Sequence, residues 1–261
     1  VDVSVYAEAS SSYDEVMQGD VDIAAVAALM GEPARATVLL TLSSGRALAA
    51  STLAQEAGVA NSTLSGHLGR LVDGGLITVE ASGRHRYYRL ASPEIAEAVE
   101  ALARIAPPQQ VRSLRQATHA EAIRRARSCY DHLAGRLGVE LCEALVSAHV
   151  VGVESSGDGP RDPVLGAGRA KRFAITMTGR DVLSSVGVCL DPPTRRPLVR
   201  YCVDWSEQRP HLSGWLGAAL LARFIELGWV SRGERRVVRV NASGRSALPE
   251  RLGVDLTWLP G

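Results

Sequence analysis

Residues 51–90 read "STLAQEAGVANSTLSGHLGRLVDGGLITVEASGRHRYYRL". Ser51 is placed to cap a short helix that Gly58 ends, and Asn61 or Ser62 to cap a second. In that second helix Leu64, Leu68 and Leu71 fall at i, i+4 and i+7 and make one apolar stripe. The other faces carry Ser62, Thr63, Ser65, Gly66, His67, Gly69 and Arg70. Such a surface is small and rich in hydrogen-bonding groups, with a single strong cation. It suits a helix that enters a DNA major groove about 12 Å wide, although a solvated helix face has the same composition. After it, Ile77, Val79 and Tyr87 alternate with polar neighbours around "SGRH", which predicts a hairpin with a basic tip. Residues 61–90 carry a net charge of +2 before His67 and His85 are counted. Arg84, His85, Arg86 and Arg89 are therefore placed to meet phosphates beside the groove. The stretch predicts a helix-turn-helix followed by a wing.

Upstream, Ile23, Val26, Leu29 and Met30 suit one helix and Val38, Leu39 and Leu42 a second, with Gly31 and Pro33 between them. "LMGEPARATVLLTL" (29–42), the stretch at 51–90 and "SPEIAEAVEALA" (92–103) together resemble the ArsR/SmtB family of winged-helix transcriptional regulators. The resemblance spans residues 22–106 and is carried by "SGHLGRL", "GGLI", "GRHRYYRL" and "SPEI". It implies a homodimeric repressor that binds an operator in double-stranded DNA. By the resemblance Ser62, Thr63, Ser65 and His67 would face bases or phosphates and the wing arginines, Arg84 and Arg86 among them, would grip the backbone; Arg70 on the helix and His85 at the basic tip are further candidate DNA contacts. Dimerisation would use the "IAAVAALM" helix and the helix bearing Ile95, Val99 and Leu102. Many members of the family sense metals through a Cys-containing box before the recognition helix, or through His and acidic ligands on the last helix. Here those positions read "STLAQEAG" and "SPEIAEAVEALARI", with neither Cys nor His. Soft-metal sites need thiolate or imidazole, so the family's sensing sites do not carry over.

The chain has 261 residues, more than one domain of about 100 to 200. Its net charge of +1 leaves affinity for an acidic polymer to local basic faces. Four cysteines, at 129, 142, 189 and 202, form no CxxC pair and point to a reducing cytoplasm. The most apolar stretch, "HLSGWLGAALLARFIELGWV" (211–230), is interrupted by Arg223 and Glu226 and reads as a buried helix, not a membrane span. No signal peptide is apparent, and residues 1–21 read as a flexible N-terminal arm. Residues 22–106 form the expected DNA-binding and dimerisation domain, and residues 107–261 the expected effector-sensing domain.

Within that second domain Pro107 and Pro108 mark a break. Residues 109–127 carry +4, the composition of a solvated basic helix face. "HLAGRLGVEL" at 132–141 then recurs as "HLSGWLGAAL" at 211–220, identical at six of ten positions. "TGRDVLSSVGVCLD" (178–191) is echoed by "SGRSALPERLGVDL" (243–256), each after an alternating segment, "KRFAIT" and "RRVVRV". Two related units follow, at about 127–191 and 200–256, each a helix, hairpin and helix, packed about a pseudo-twofold axis. The expected fold is mainly α with small β wings: an N-terminal winged helix-turn-helix plus a duplicated, degenerate winged-helix-like C-terminal region.

"RSCYDHLAG" (127–135) and "RYCVDWSEQRPHLSG" (200–214) each hold Arg, Cys, Asp and His. Cys129 continues a helical pattern, whereas Val199, Tyr201 and Val203 alternate like a strand, so the equivalence of the two cysteines is the weaker part of the repeat. Cys129, His132, Cys202 and His211 admit several roles. They suit buried packing with satisfied histidines, a metal or metalloid site, thiol redox sensing, or the rim of an organic-effector pocket with Tyr130, Trp205 and Trp215. A Cys-dependent enzyme would need one of these thiols with a histidine base. No nucleophile elbow, phosphate loop or dinucleotide fingerprint accompanies them.

Overall fold

The computed structural model describes residues 21–83, 85–155, 171–192 and 196–260. Residues 1–20 of the expected arm, and Arg84 of the expected basic tip, lie outside them. The chain opens with α1 (Ile23–Met30) and α2 (Pro33–Leu42). Asp22 caps the first, its Oδ1 accepting from Ala25 N at 2.8 Å, and Pro33 stands in the first turn of the second. Strand β1 (Leu48–Ala49) runs straight into α3 (Ala50–Ala57), and α4 (Asn61–Asp73) follows the turn closed by Gly58 at φ +68°.

The cap assignments differ from the sequence reading. Ala49 and Ala60 occupy the N-cap positions without side-chain caps, and Ser51 and Asn61 lie inside the helices. The reason at α3 is the sheet: Leu48 and Ala49 pair with Tyr88 and Tyr87, which fixes the backbone that enters the helix. The wing strands β2 (Ile77–Ser82) and β3 (His85–Leu90) pair antiparallel from Ile77↔Leu90 to Ser82↔His85. With β1 they make a three-stranded sheet in the order β1-β3-β2. Helix α5 (Pro93–Ile105) returns across the core. Leu64, Leu68 and Leu71 are buried with Val38, Leu39, Leu42, Leu53, Ile77, Tyr88, Leu90 and Val99. Each such side chain contributes about 1.5–3 kcal/mol. The helix-turn-helix thus hangs from α2, α5 and the sheet.

Beyond α6 (Leu114–Arg125) one order of elements occurs twice. The first pass is β4 (Arg127–Cys129), β5 (His132–Ala134), α7 (Gly135–Ser147), β6 (Val151–Ser155), β7 (Lys171–Ile175) and α8 (Met177–Ser185). The second is β8 (Arg200–Val203), β9 (Pro210–Ser213), α9 (Gly214–Glu226), β10 (Val230–Arg232), β11 (Val238–Val240) and α10 (Ala242–Leu252). Each pass therefore begins with a hairpin that the sequence reading missed, and Cys129 lies on a strand, not on a helix. The buried residues of both passes form one core, including Leu133, Leu137, Leu145, Leu183, Leu212, Leu216, Phe224 and Leu248.

The packing is reciprocal, with α7 against β9 and α9 against β5. The repeated His-Leu-x-Gly-x-Leu-Gly motif explains itself here. Gly135 and Gly214 adopt φ +72° and +76° where hairpin turns into helix, a region disfavoured for other residues. A Cβ added at Gly138 would sit 2.5 Å from Leu133 O, and one at Gly217 would sit 2.6 Å from Leu212 O. The apolar stretch 211–230 supplies the buried helix α9, whose Leu216, Leu220, Leu221 and Phe224 face the core. Among the described residues no single helix is long and apolar enough to cross a membrane.

Candidate functional site

Two sites emerge, one on the surface of α4 and the wing, the other buried between the repeats. With its leucine stripe turned inward, α4 leaves Ser62, Thr63, Ser65, Gly66, Gly69 and Arg70 exposed in the full chain. A Cβ at Gly66 or Gly69 would meet nothing within 4 Å. No packing therefore accounts for two glycines inside this helix, each of which costs about 0.5–1 kcal/mol relative to alanine. His67 is half-buried instead of fully presented, its Nδ1 3.3 Å from Glu32 Oε2 at the start of α2. On the wing His85 and Arg86 are exposed, and the His85 ring lies edge-on to Tyr87 at 6.5 Å. Arg89 pairs across the strands with Glu80 at 2.8 Å. Arg70 and Arg86 make no ion pair among the described residues, which leaves both guanidinium groups available to phosphate.

The second site brings together all four residues singled out in the repeats. Strand register places Cys129 opposite His132 and Cys202 opposite His211. The two hairpins then meet so that the His132 and His211 rings stack at 5.2 Å, and one donor atom from each of the four residues lies within 4.8 Å of the others. The six extra residues of the second copy are absorbed by the turn between β8 and β9, so the Cys-x-Asp spacing is the same in both. Cys129, His132 and His211 are buried and Cys202 is half-buried.

Each histidine has a carboxylate behind it. His132 Nδ1 is 3.3 Å from Asp131 Oδ1, and His211 Nδ1 is 3.8 Å from Asp204 Oδ2. Burial alone would lower the His132 pKa, but Asp131 and Cys202 together raise it to about 9. For His211, burial and then the charge of His132 push the value down to about 4. Contact with the Cys129 thiol, aided by His132, holds Cys202 well below the usual thiol range, and the same contact with burial pushes Cys129 up.

Charged side chains surround this cluster and reach the N-terminal elements α2 and α5. Arg127, placed on a solvated basic face by the sequence reading, is instead fully buried, because it pairs with Asp204 at 2.9 Å. Asp204 also accepts from Gly135 N at 2.6 Å and from Ser206 Oγ at 2.7 Å. Burial opposes its ionisation, yet Arg127, His211 and these donors lower its pKa to about 2. Glu100, buried on α5, is paired with Arg236 and stands 3.8 Å from Arg127. Tyr130, at the tip of the first hairpin, donates its N–H to Ser43 O at 2.7 Å, just past α2. Sequence reading missed Glu100 and Arg236, which carry no local signal of being buried.

A separate cleft of about 1360 Å³ runs between α3 and α6 and is lined by Gln55, Glu56, Arg115, His119, Arg235 and Arg245, among others. Tyr130, Trp205 and Trp215 do not line it. Trp205 instead lies under Arg127, whose Cζ is 4.6 Å from the ring centre, and Trp215 Nε1 donates to Cys189 O.

Residues 30–80 match the family described as a helix-turn-helix domain. Over 238 residues the chain is 37% identical to YdfF, an HTH-type transcriptional regulator of Bacillus subtilis (strain 168), covering 90% of this chain and 99% of that one. Among solved structures, the transcriptional repressor BigR from Xylella fastidiosa is 25% identical and covers 40% of this chain and 98% of that one, with a TM-score of 0.31. The cadmium metal-sensor CMTR from Mycobacterium tuberculosis is 25% identical and covers 35% and 99%, with a TM-score of 0.29.

Proposed function

The chain belongs to the HTH-type transcriptional regulators, and from that premise we propose that it is a homodimeric, ArsR-like repressor whose DNA affinity is set by an effector bound in its C-terminal half. The observation that carries the DNA contact is the exposed face of α4. Two glycines there have open space beside them and no packing contact that requires them, which supports close approach of a partner surface to the helix backbone. Ser62, Thr63, Ser65 and Arg70 read the groove and position the helix, while Arg84, His85 and Arg86 hold the phosphate backbone. His67 acts more as an anchor of α4 onto Glu32 than as a base reader.

The dimer reading is supported by apolar side chains left in solvent on α1 and α5. Ile23 is 70% exposed and Ile105 81%, with Val26 and Leu102 beside them. A second copy covering these faces would give the pair two α4 helices, as reading a two-part site requires. The division into a DNA-binding part, 22–106, and an effector part, 107–261, is supported by two separate buried clusters, one on each side of α6. No catalytic role is assigned to Cys202 and His132.

The test is selection of binding sites from random duplex DNA by the full chain, followed by mobility shifts as salt is raised and by a reporter driven from the selected site. Enrichment of a two-part site, binding that weakens with salt, and lower reporter output with the protein present are expected. Retention of all sequences alike would contradict the proposal.

A further inference from the structure

We infer that Cys129, His132, Cys202 and His211 form a tetrahedral site for a zinc-like divalent metal ion, and that this ion is the effector. Only the second clause rests on the regulator reading; the first stands on geometry. The donors come in pairs fixed by strand register, one Cys and one His from each hairpin, and all four lie within 4.8 Å of one another. Ligands about 2.0–2.3 Å from a tetrahedral ion stand roughly 3.3–3.8 Å apart. About 1 Å of side-chain movement closes the cage.

A second observation also calls for a ligand. Among the described residues, both ring nitrogens of wholly buried His211 make no hydrogen bond, and neither does Nε2 of buried His132. Native interiors rarely leave such groups unsatisfied. Asp131 and Asp204 stand on the Nδ1 sides of the two rings, the placement in which a carboxylate orients a metal-bound imidazole, and Nε2 of each is left for the ion. Two sulfurs and two imidazole nitrogens in tetrahedral array select zinc-like ions over magnesium or calcium. On binding, the protons still held by the two thiols and by either imidazolium pass to solvent, leaving two thiolates and two neutral imidazoles on the ion.

The site is placed to be felt at the DNA. Tyr130, next to Cys129, is bonded to Ser43 behind α2, and Arg127, two residues before Cys129, joins the Asp204 and Glu100 carboxylates that lead to α5. Drawing the hairpins together around an ion therefore moves both supports of the helix-turn-helix.

The full chain, reduced and stripped with chelator, is titrated with Co(II) alone, and affinity for the selected DNA is measured with and without the metal. Expected are one Co(II) per chain, the strong visible absorption of a tetrahedral site, thiolate-to-cobalt charge transfer, and displacement by Zn(II). DNA affinity should change by at least about tenfold. Cys202→Ser should lose most of the charge-transfer band; if that variant does not fold, His211→Gln, followed by circular dichroism, serves instead. Absence of Co(II) binding, a six-coordinate spectrum, or an unaltered spectrum in the folded variants would overturn the site. Tetrahedral binding with unchanged DNA affinity would overturn the effector role. Failure to bind DNA in either form would overturn the regulator reading, and the site would then be decided by the spectrum alone.

Discussion

The imidazole rings of His132 and His211 stack 5.2 Å apart with planes inclined by 30°, each delivered by a different copy of the repeat. Because the two copies supply the ligands equally, an ion between them joins elements that are about 80 residues apart in sequence. Metal should then stabilise the fold as a whole. At a free concentration a hundredfold above its dissociation constant, Zn(II) should raise the free energy of unfolding by about 2.7 kcal/mol. Denaturant titrations with and without Zn(II) measure this. The same addition to Cys202→Ser should shift the midpoint far less.

Gly138→Ala and Gly217→Ala should each destabilise by about 1–3 kcal/mol, because the new methyl meets the carbonyl of Leu133 or Leu212. Gly66→Ala is the contrast. Its methyl points into open space, so the fold should gain up to about 1 kcal/mol while DNA affinity falls. Thermal unfolding paired with a mobility shift separates the two effects. A Gly66→Ala protein that binds DNA as well as the parent would speak against close approach at α4.

The leucine stripe, the helix end at Gly58 and the basic hairpin were legible in the sequence because each rests on local periodicity or a local backbone demand, whereas the N-caps expected at Ser51 and at Asn61 or Ser62 are not used. The duplication was legible too, since glycines required by a tight approach and a left-handed turn recur in register. The hairpins β4-β5 and β8-β9 were not recognised as equivalent. Strands β4 and β5, of three residues each, are too short to show alternation, and a tight turn at Tyr130 and Asp131 stands where the other copy has a longer loop. Arg127 was misread for a related reason: its partner Asp204 lies 77 positions away, and nothing local distinguishes a buried paired arginine from a solvated one.

That pairing has a cost when broken. Asp204→Ala leaves Arg127, with no solvent exposure, without its nearest carboxylate and removes the acceptor for Gly135 N. A loss of about 3–5 kcal/mol is expected from urea unfolding. A loss below about 1 kcal/mol would place the pair among interactions of little weight.

If copies pair through α1 and α5 as proposed, Ile23→Asp and Ile105→Asp should leave a folded monomer, as both side chains are already in solvent within one chain. Analytical ultracentrifugation reads this directly, and operator affinity should fall in parallel. A parent protein that is monomeric at working concentrations would remove the basis for a two-part site.

The central claim, that α4 reads DNA while the wing holds it, is tested most directly by comparing Ser65→Ala and Arg86→Ala on the selected site and on unrelated duplex over a range of salt. Ser65→Ala should lose about 1–3 kcal/mol on the selected site only. Arg86→Ala should weaken both duplexes alike and lower the log-log salt slope by about 0.9. Equal losses from both substitutions on both duplexes, or no loss from either, would contradict the account.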